Sequence, residues 1–183
     1  MENDIIVTYL GEKISLLDIE NAKINLEDIA HGLAYTCRFA GQCKSFYNVA
    51  SHSINCLRVA EYFGYSDELK LYTLLHDASE AYICDIPSPL KKLLLEYKKY
   101  ENAFQTNIYR TFGLKEMTAN GIKQIKEIDN IMFSKEWNAL MNSDFEDINT
   151  ELIIPNLIFS RKNIEEAEEE FLIEAKRLIK RGC

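Results

Sequence analysis

Leu74-Leu75-His76-Asp77-Ala78-Ser79-Glu80 is the stretch on which the fold and the chemistry of this chain turn. Leu71, Leu75, Ala78 and Tyr82 recur around it at helical spacing, which predicts the middle of a buried helix running to about Ile83. Into that apolar setting the sequence places a histidine, an aspartate and a glutamate. A buried carboxylate is costly unless a cation or a metal accompanies it. The adjacent His76 and Asp77 offer a metal one nitrogen and one oxygen. On a helix Glu80 projects from the same side, one turn along, free to handle protons beside the ion. A His-Asp pair by itself is more often a surface pair or a satisfied core histidine, so the weight falls on the rest of the chain.

Four further carriers of chemistry lie outward from this stretch. Toward the N-terminus, Asn48 reads as the start of a helix on which His52, Cys56, Val59 and Phe63 share an apolar face. Taken alone, a histidine there is more often a hydrogen-bonded core residue than a ligand. Asn25 reads as an N-cap with Asp28 as a capping-box analogue. The helix it opens extends to Gly41 and carries His31, Tyr35 and Arg38 on one face, either solvated surface or the lining of an anion pocket. On the C-terminal side, Asp85-Ile86-Pro87-Ser88-Pro89 breaks the central helix, because proline removes a donor and restricts its predecessor. Asp85 at that break is a turn residue or a site residue. Further on, Thr118 caps a helix whose stripe of Ile122, Ile125, Met132, Phe133 and Leu140 contains Asp129, where an apolar residue is expected. A metal explains such a carboxylate, as does a paired lysine.

Composition bounds the reading. The 183 residues suit one domain, 1–183, with a motif core at 25–140 and a C-terminal helix at 163–181. Hydrophobic residues make up 47%, and only 7 glycines and 3 prolines occur, which favours an all-α helical bundle. Ile5–Leu10 and Lys13–Leu17, separated by Gly11, predict a short N-terminal β-hairpin. The net charge of −8 argues against nucleic-acid or anionic-membrane partners. No signal peptide and no transmembrane run are read, which predicts a cytoplasmic protein. The five cysteines include no C-x-x-C pair, so reduced thiols are expected. The 3 histidines must supply any histidine-bearing site. Tyr97, Tyr100, Phe104, Ile108 and Phe112 keep a four-residue rhythm, read as core or subunit contact and taken as a reason to expect a homodimer or higher homo-oligomer. Asn142–Pro155 reads as a loop or lid. Ile164, Ala167, Phe171, Ala175 and Leu178 give the last helix its apolar side, with acids early and bases late as the helix dipole prefers.

His52, His76, Asp77 and Asp129 thus stand together as two imidazoles and two carboxylates, a set suited to one divalent transition metal. Here the chain resembles the HD-domain metal-dependent phosphohydrolases, in particular the 5′-deoxynucleotidase-like phage and prophage branch. The resemblance rests on residues 27–33, on Cys37-Arg38-Phe39, on residues 46–53 and on the run from Leu74 to Leu90, with Asp129 beyond. It implies an all-α fold holding one divalent ion (cobalt, manganese, magnesium, nickel or zinc) on His52, His76, Asp77 and Asp129. It implies that Glu80 transfers protons with the attacking water and that Asp85 positions water, leaving group or sugar. It further implies that Arg38 binds the substrate phosphate and Phe39 packs near sugar or base, with His31 at a position common in the phage-type members. The histidine that relatives often carry after the Gly41 region is Gln42 here. The implied activity is removal of the 5′-phosphate from deoxynucleoside monophosphates. Hydrolysis of dNTPs to triphosphate, hydrolysis of (p)ppGpp-type signalling nucleotides and non-catalytic nucleotide binding are its alternatives. Lys44, Arg58, Lys91 and Lys92 are the cations a triphosphate would draw on.

Overall fold

The computed structural model describes residues 4–145, 151–160 and 163–182. Among the described residues, eight α-helices, two 3-10 turns (Ile19–Asn21 and Phe39–Gly41) and one two-stranded antiparallel sheet make up the regular structure. Strands β1 (Ile5–Val7) and β2 (Lys13–Ser15) pair with Ile6 opposite Ile14, and Gly11 supplies the left-handed turn residue at φ 83°. The hairpin and the all-α architecture match the sequence reading.

Helix α1 spans Leu26–Tyr35 and α2 spans Val49–Tyr62. Asn48 caps α2 as its composition predicts, its side chain accepting from the Ser51 N–H. Asn25 precedes α1, but its side-chain oxygen accepts no helix N–H, and its Nδ2 donates to Asp28. The other Asp28 oxygen accepts the Leu10 N–H, 2.8 Å away, and so ties the hairpin to α1. Contrary to the sequence reading, α1 stops before Arg38. Cys37 forms a β-bridge with Asn48, and the Arg38 N–H donates to the Tyr47 carbonyl. Phe39 (φ 55°) and Ala40 (φ 51°) then take the left-handed conformation, which costs a residue with a Cβ about 1–2 kcal/mol. Arg38 therefore leaves from a constrained loop and does not share a helical face with His31.

Helix α3 (Asp67–Leu74), capped by Ser66, also ends early. A turn over 75–79 separates it from the single-turn α4 (Glu80–Ile83), so His76 and Asp77 sit in a break between helices. The backbone groups freed there are met from α6 (Leu95–Thr111): Gln105 Nε2 donates to the Leu75 carbonyl at 2.7 Å, and the Ser79 N–H donates to Gln105 Oε1 at 3.1 Å. Cys84 (φ 69°) and Pro87 separate α4 from the short α5 (Ser88–Lys91), whose first turn carries Pro89. Thr118 caps α7 (Ala119–Leu140), and α8 spans Glu165–Gly182.

The main core gathers α1, α2, α3, α6 and α8 around Ile29, Leu33, Ile54, Leu57, Leu74, Phe104 and Phe171. Ala167, Phe171, Ala175 and Leu178 of α8 are buried against α1, α2 and α3, so the predicted apolar side of that helix is a core face. Phe104 and Ile108 are wholly buried, with Tyr100 and Phe112 packed on the same core. The middle of the aromatic row is thus core, while Tyr97, Tyr100 and Phe112 remain partly exposed. A smaller core joins Cys56, Val59 and Ala60 of α2 to Ile128, Ile131 and Met132 of α7. Leu152 and Ile154 of the expected loop or lid pack on it, as do Leu157 and Phe159 just beyond, so this part of the segment is seated on α2 and α7; residues 146–150 lie outside the described residues. The four described cysteines form no disulfide. No helix among the described residues is long and apolar enough to cross a membrane.

Candidate metal centre

Four side chains from three parts of the fold converge. His52 comes from α2, His76 and Asp77 from the break after α3, and Asp129 from α7. His52 Nε2 lies 3.4 Å from His76 Nε2, 3.5 Å from Asp77 Oδ2 and 3.6 Å from Asp129 Oδ1. His76 Nε2 is 3.3 Å from Asp77 Oδ2. Donor atoms about 2.1 Å from a shared ion stand roughly 3.0–3.4 Å apart at octahedral to tetrahedral angles, so the spacing is close to that of a coordination shell.

The hydrogen bonds decide which atoms carry lone pairs. His76 Nδ1 is 2.7 Å from the Thr73 carbonyl, which can only accept, so the proton sits on Nδ1. His52 Nδ1 is 2.7 Å from Glu136 Oε1. Arg38 and His52 hold that carboxyl below the usual range although burial works against its charge. Glu136 therefore accepts as well. Both Nε2 lone pairs then face each other and two carboxylate oxygens, an arrangement that a cation stabilises. Burial alone would lower the His76 imidazolium, but Asp77, Asp129 and the Thr73 carbonyl push it up to about 9, so near neutral pH a metal reaches the Nε2 lone pair by displacing a proton. Burial likewise opposes the charge of Asp77, yet His76, His52 and Arg38 hold its carboxyl far below the usual range. The residues thus fit a metal by donor type and by spacing. Cys56, one turn after His52, adds a sulfur; His52, Cys56 and His76 have ligand atoms within 4.8 Å of one another and can hold an ion as a group. Its Sγ lies 3.5 Å from His52 Nε2 and 3.9 Å from Nδ1, beside the ring.

Two cavities meet at the cluster, both lined by Asp129 and Lys126. One, of about 770 Å³, is walled by His76 and by Tyr109, Leu114, Met117, Ile122 and Ile125. The other, of about 700 Å³, brings Asp77, Glu80 and Asp85 together with Arg38, Lys91 and an aromatic wall of Phe39, Phe133 and Trp137. Glu80 is buried, and its Oε1 accepts from Lys91 Nζ at 3.1 Å. Lys91 is held in turn by Glu101 at 2.6 Å. Glu80 Oε2 is buried without a hydrogen-bond partner. Burial, then repulsion from Asp77 and Asp85, pushes the Glu80 carboxyl well above its ordinary value, with Lys91 and Arg38 offsetting part of this. Burial also raises Asp85.

The fold thus brings together eight of the nine residues singled out from the sequence. His31 is elsewhere. Its ring stacks between Tyr9 and Tyr35, at 3.7 and 4.3 Å, and its Nδ1 meets Glu168 at 3.2 Å. It lines a separate cavity with Asp28 and Tyr82. Glu136 was missed. It follows Asp129 by two helical turns in the same apolar stripe, the same anomaly that drew attention to Asp129. Lys126 pairs with Asp129 at 3.1 Å, the lysine partner that the sequence offered as the other reason for that carboxylate, although an exposed lysine gave no signal of which one it is.

No family model matches the chain. It is 36% identical over 118 residues to YfdR, an uncharacterized protein of Escherichia coli, a stretch covering 64% of each chain. It is 35% identical over 130 residues to an uncharacterized protein of Rhodobacter capsulatus, covering 66% of this chain and 65% of the relative. The chain spans a little under two thirds of the length of these relatives.

Proposed function

We propose that the protein is a divalent-metal-dependent phosphohydrolase of the HD-domain type, removing the 5′-phosphate from deoxynucleoside monophosphates. One observation carries the reading. A cluster of imidazole and carboxylate donors opens onto a cavity that offers Arg38 and Lys91 to a phosphate and three aromatic rings to a base.

His52, His76, Asp77 and Asp129 would hold the ion. When bound, it supplies Lewis acidity toward a phosphate oxygen and a lowered pKa for water. The remaining work falls to the chain. Arg38 and Lys91 bring cationic hydrogen-bond donors to the phosphate. Water attacks phosphorus as the bond to the 5′-oxygen breaks. Glu80, held by Lys91, takes the proton of that water and returns it to the departing oxygen. A carboxyl raised by burial suits both halves of that transfer. Asp85 lines the same cavity and can accept from the water or from the sugar. Of the four cations a triphosphate would draw on, only Lys91 lines this cavity, and Arg58 is spent on Asn55, the Asn156 carbonyl and Glu170.

The test is a phosphate-release screen. Deoxynucleoside monophosphates, ribonucleoside monophosphates and dNTPs are offered to chelator-treated protein resupplied with manganese, cobalt, magnesium, nickel or zinc. Release from deoxynucleoside monophosphates with at least one ion is expected. Binding without release under every ion would point to the non-catalytic alternative.

A further inference from the structure

We propose that Glu136 is the positioning residue of this site. Its single buried carboxylate fixes both the His52 imidazole and the Arg38 guanidinium, so affinity for the ion and affinity for the phosphate are set together. The role rests on the phosphohydrolase reading for its purpose, while its evidence is separate.

Glu136 lies on α7 and is wholly buried. Three donors converge on it from residues 38–52, all of them more than eighty positions earlier in the chain. The Tyr47 hydroxyl donates to Oε1 at 2.9 Å, and His52 Nδ1 meets the same oxygen at 2.7 Å. Arg38 Nε donates to Oε2 at 3.2 Å. A carboxylate this deep is retained only where its lone pairs are met, and here they are.

The two oxygens divide the work. Oε1 takes the Nδ1 proton of His52, which fixes the tautomer and presents Nε2 as the lone pair toward His76, Asp77 and Asp129. Outer hydrogen bonds of this kind orient a ligating histidine and raise its basicity. Oε2 holds Arg38 by Nε, the atom nearest the stem, and so sets the plane of the guanidinium. Arg38 Nη1 then stands 3.5 Å from Asp77 Oδ2, at the mouth of the cavity that Arg38 lines. Arg38 precedes the distorted 3-10 turn of the left-handed Phe39 and Ala40 and lies on no α-helix that could orient it. Glu136 supplies that orientation. A residue that merely joined α7 to α2 would need neither of the two functional side chains as partners.

The experiment compares wild type, Glu136→Gln, Arg38→Ala and the double variant. Each is stripped with chelator and titrated calorimetrically, first with manganese, then with inorganic phosphate at saturating manganese. Glu136→Gln is expected to weaken manganese binding by about 10- to 100-fold, the usual effect of losing such an outer partner. Its phosphate dissociation constant is expected to rise roughly tenfold or more, and Arg38→Ala to do the same. The double variant should bind phosphate no more weakly than Arg38→Ala alone, because Glu136 acts on phosphate through Arg38. Wild-type affinity for either ligand in Glu136→Gln, or a double variant whose phosphate losses multiply, would overturn the proposal. Should Glu136→Gln not fold, Glu136→Asp is titrated instead. It keeps the charge and withdraws the oxygens, so parallel losses support the proposal and wild-type affinities overturn it. None of these measurements needs turnover. A wild type that binds both ligands but hydrolyses nothing would end the phosphohydrolase reading and leave the coupling intact.

Discussion

Gly32 on α1 faces the backbone of Ala81 on α4 so closely that a methyl group at Gly32 would stand 2.6 Å from the Ala81 carbonyl oxygen and 2.9 Å from its Cα. Neither atom can swing aside as the end of a side chain would. Ala81 directly follows Glu80, so α4 and the proposed proton carrier must move together. Gly32→Ala should therefore cost stability, about 1–3 kcal/mol as overpacking usually does. The melting temperature should fall by about 2–4 °C for each kcal/mol lost. Turnover should fall with it. Thermal unfolding that matches wild type would show that α1 does not seat α4 in this way.

The proposed ion is tested most directly at Asp77. Its Oδ2 is the oxygen nearest both imidazole Nε2 atoms, at 3.5 Å from His52 and 3.3 Å from His76. Asp77→Ala removes it from a turn whose backbone is held by Gln105, so the helices should survive by circular dichroism. Elemental analysis should then find the metal of the wild type lost. A full complement of metal in Asp77→Ala would refute the four-ligand site.

His31 makes the opposite case. Its contacts are Tyr9, Tyr35 and Glu168, and none is with the cluster. His31→Ala should leave metal content and the KM for nucleotide within about twofold of wild type, with at most a modest loss of stability. A tenfold rise in KM would return His31 to the substrate site beside Arg38.

Why these two histidines differ was hard to see from spacing alone. His31, Tyr35 and Arg38 share a face only if α1 continues, and no glycine or proline stands between Leu33 and Arg38 to end it. What ends it is the pairing of Cys37 with Asn48, a contact between distant residues. The break at His76 was hidden for the same reason. Leu71, Leu75, Ala78 and Tyr82 keep a helical rhythm through it, and all but Tyr82 are buried. The backbone groups that would have made helical bonds are taken by Gln105 instead. Local pattern carried what depends on one element: the helix starts at Asn48 and Thr118, the misfit of Asp129, the apolar side of α8. Glu136 was within reach by the misfit argument, though its partners Tyr47, His52 and Arg38 were not.

Trp137 offers an intrinsic probe, being the one tryptophan of the chain and part of the aromatic wall. Phe39 meets it edge-on at 6.0 Å between ring centroids. A nucleotide whose base rests on this wall should quench Trp137 emission, whereas inorganic phosphate should not. Phe39→Ala should weaken nucleotide binding, since base–aromatic stacking contributes about 1–3 kcal/mol, and leave phosphate binding unchanged. Equal loss for both ligands would mean that Phe39 supports the Arg38 loop and does not touch the base.

Glu80 and Arg38 separate chemistry from binding. Glu80 Oε1 is engaged by Lys91 and its buried Oε2 is open for a proton, while Glu80 makes no contact that would complete the ligand set. Loss of a positioned acid–base group typically costs about 10²–10⁴-fold in rate. Glu80→Ala should thus keep metal and nucleotide binding while kcat collapses. Arg38 is held by Glu136 before any substrate arrives, so it meets ground state and transition state alike. Loss of uniform binding raises KM, whereas loss of a contact made only in the transition state lowers kcat. Arg38→Ala should chiefly raise KM. Steady-state kinetics on both variants, with calorimetric titration of a deoxynucleoside monophosphate, measures each quantity. Near wild-type turnover by Glu80→Ala would make Glu80 a structural partner of Lys91, and the proton transfer would have to be reassigned to Asp85, the other raised carboxyl on the same cavity.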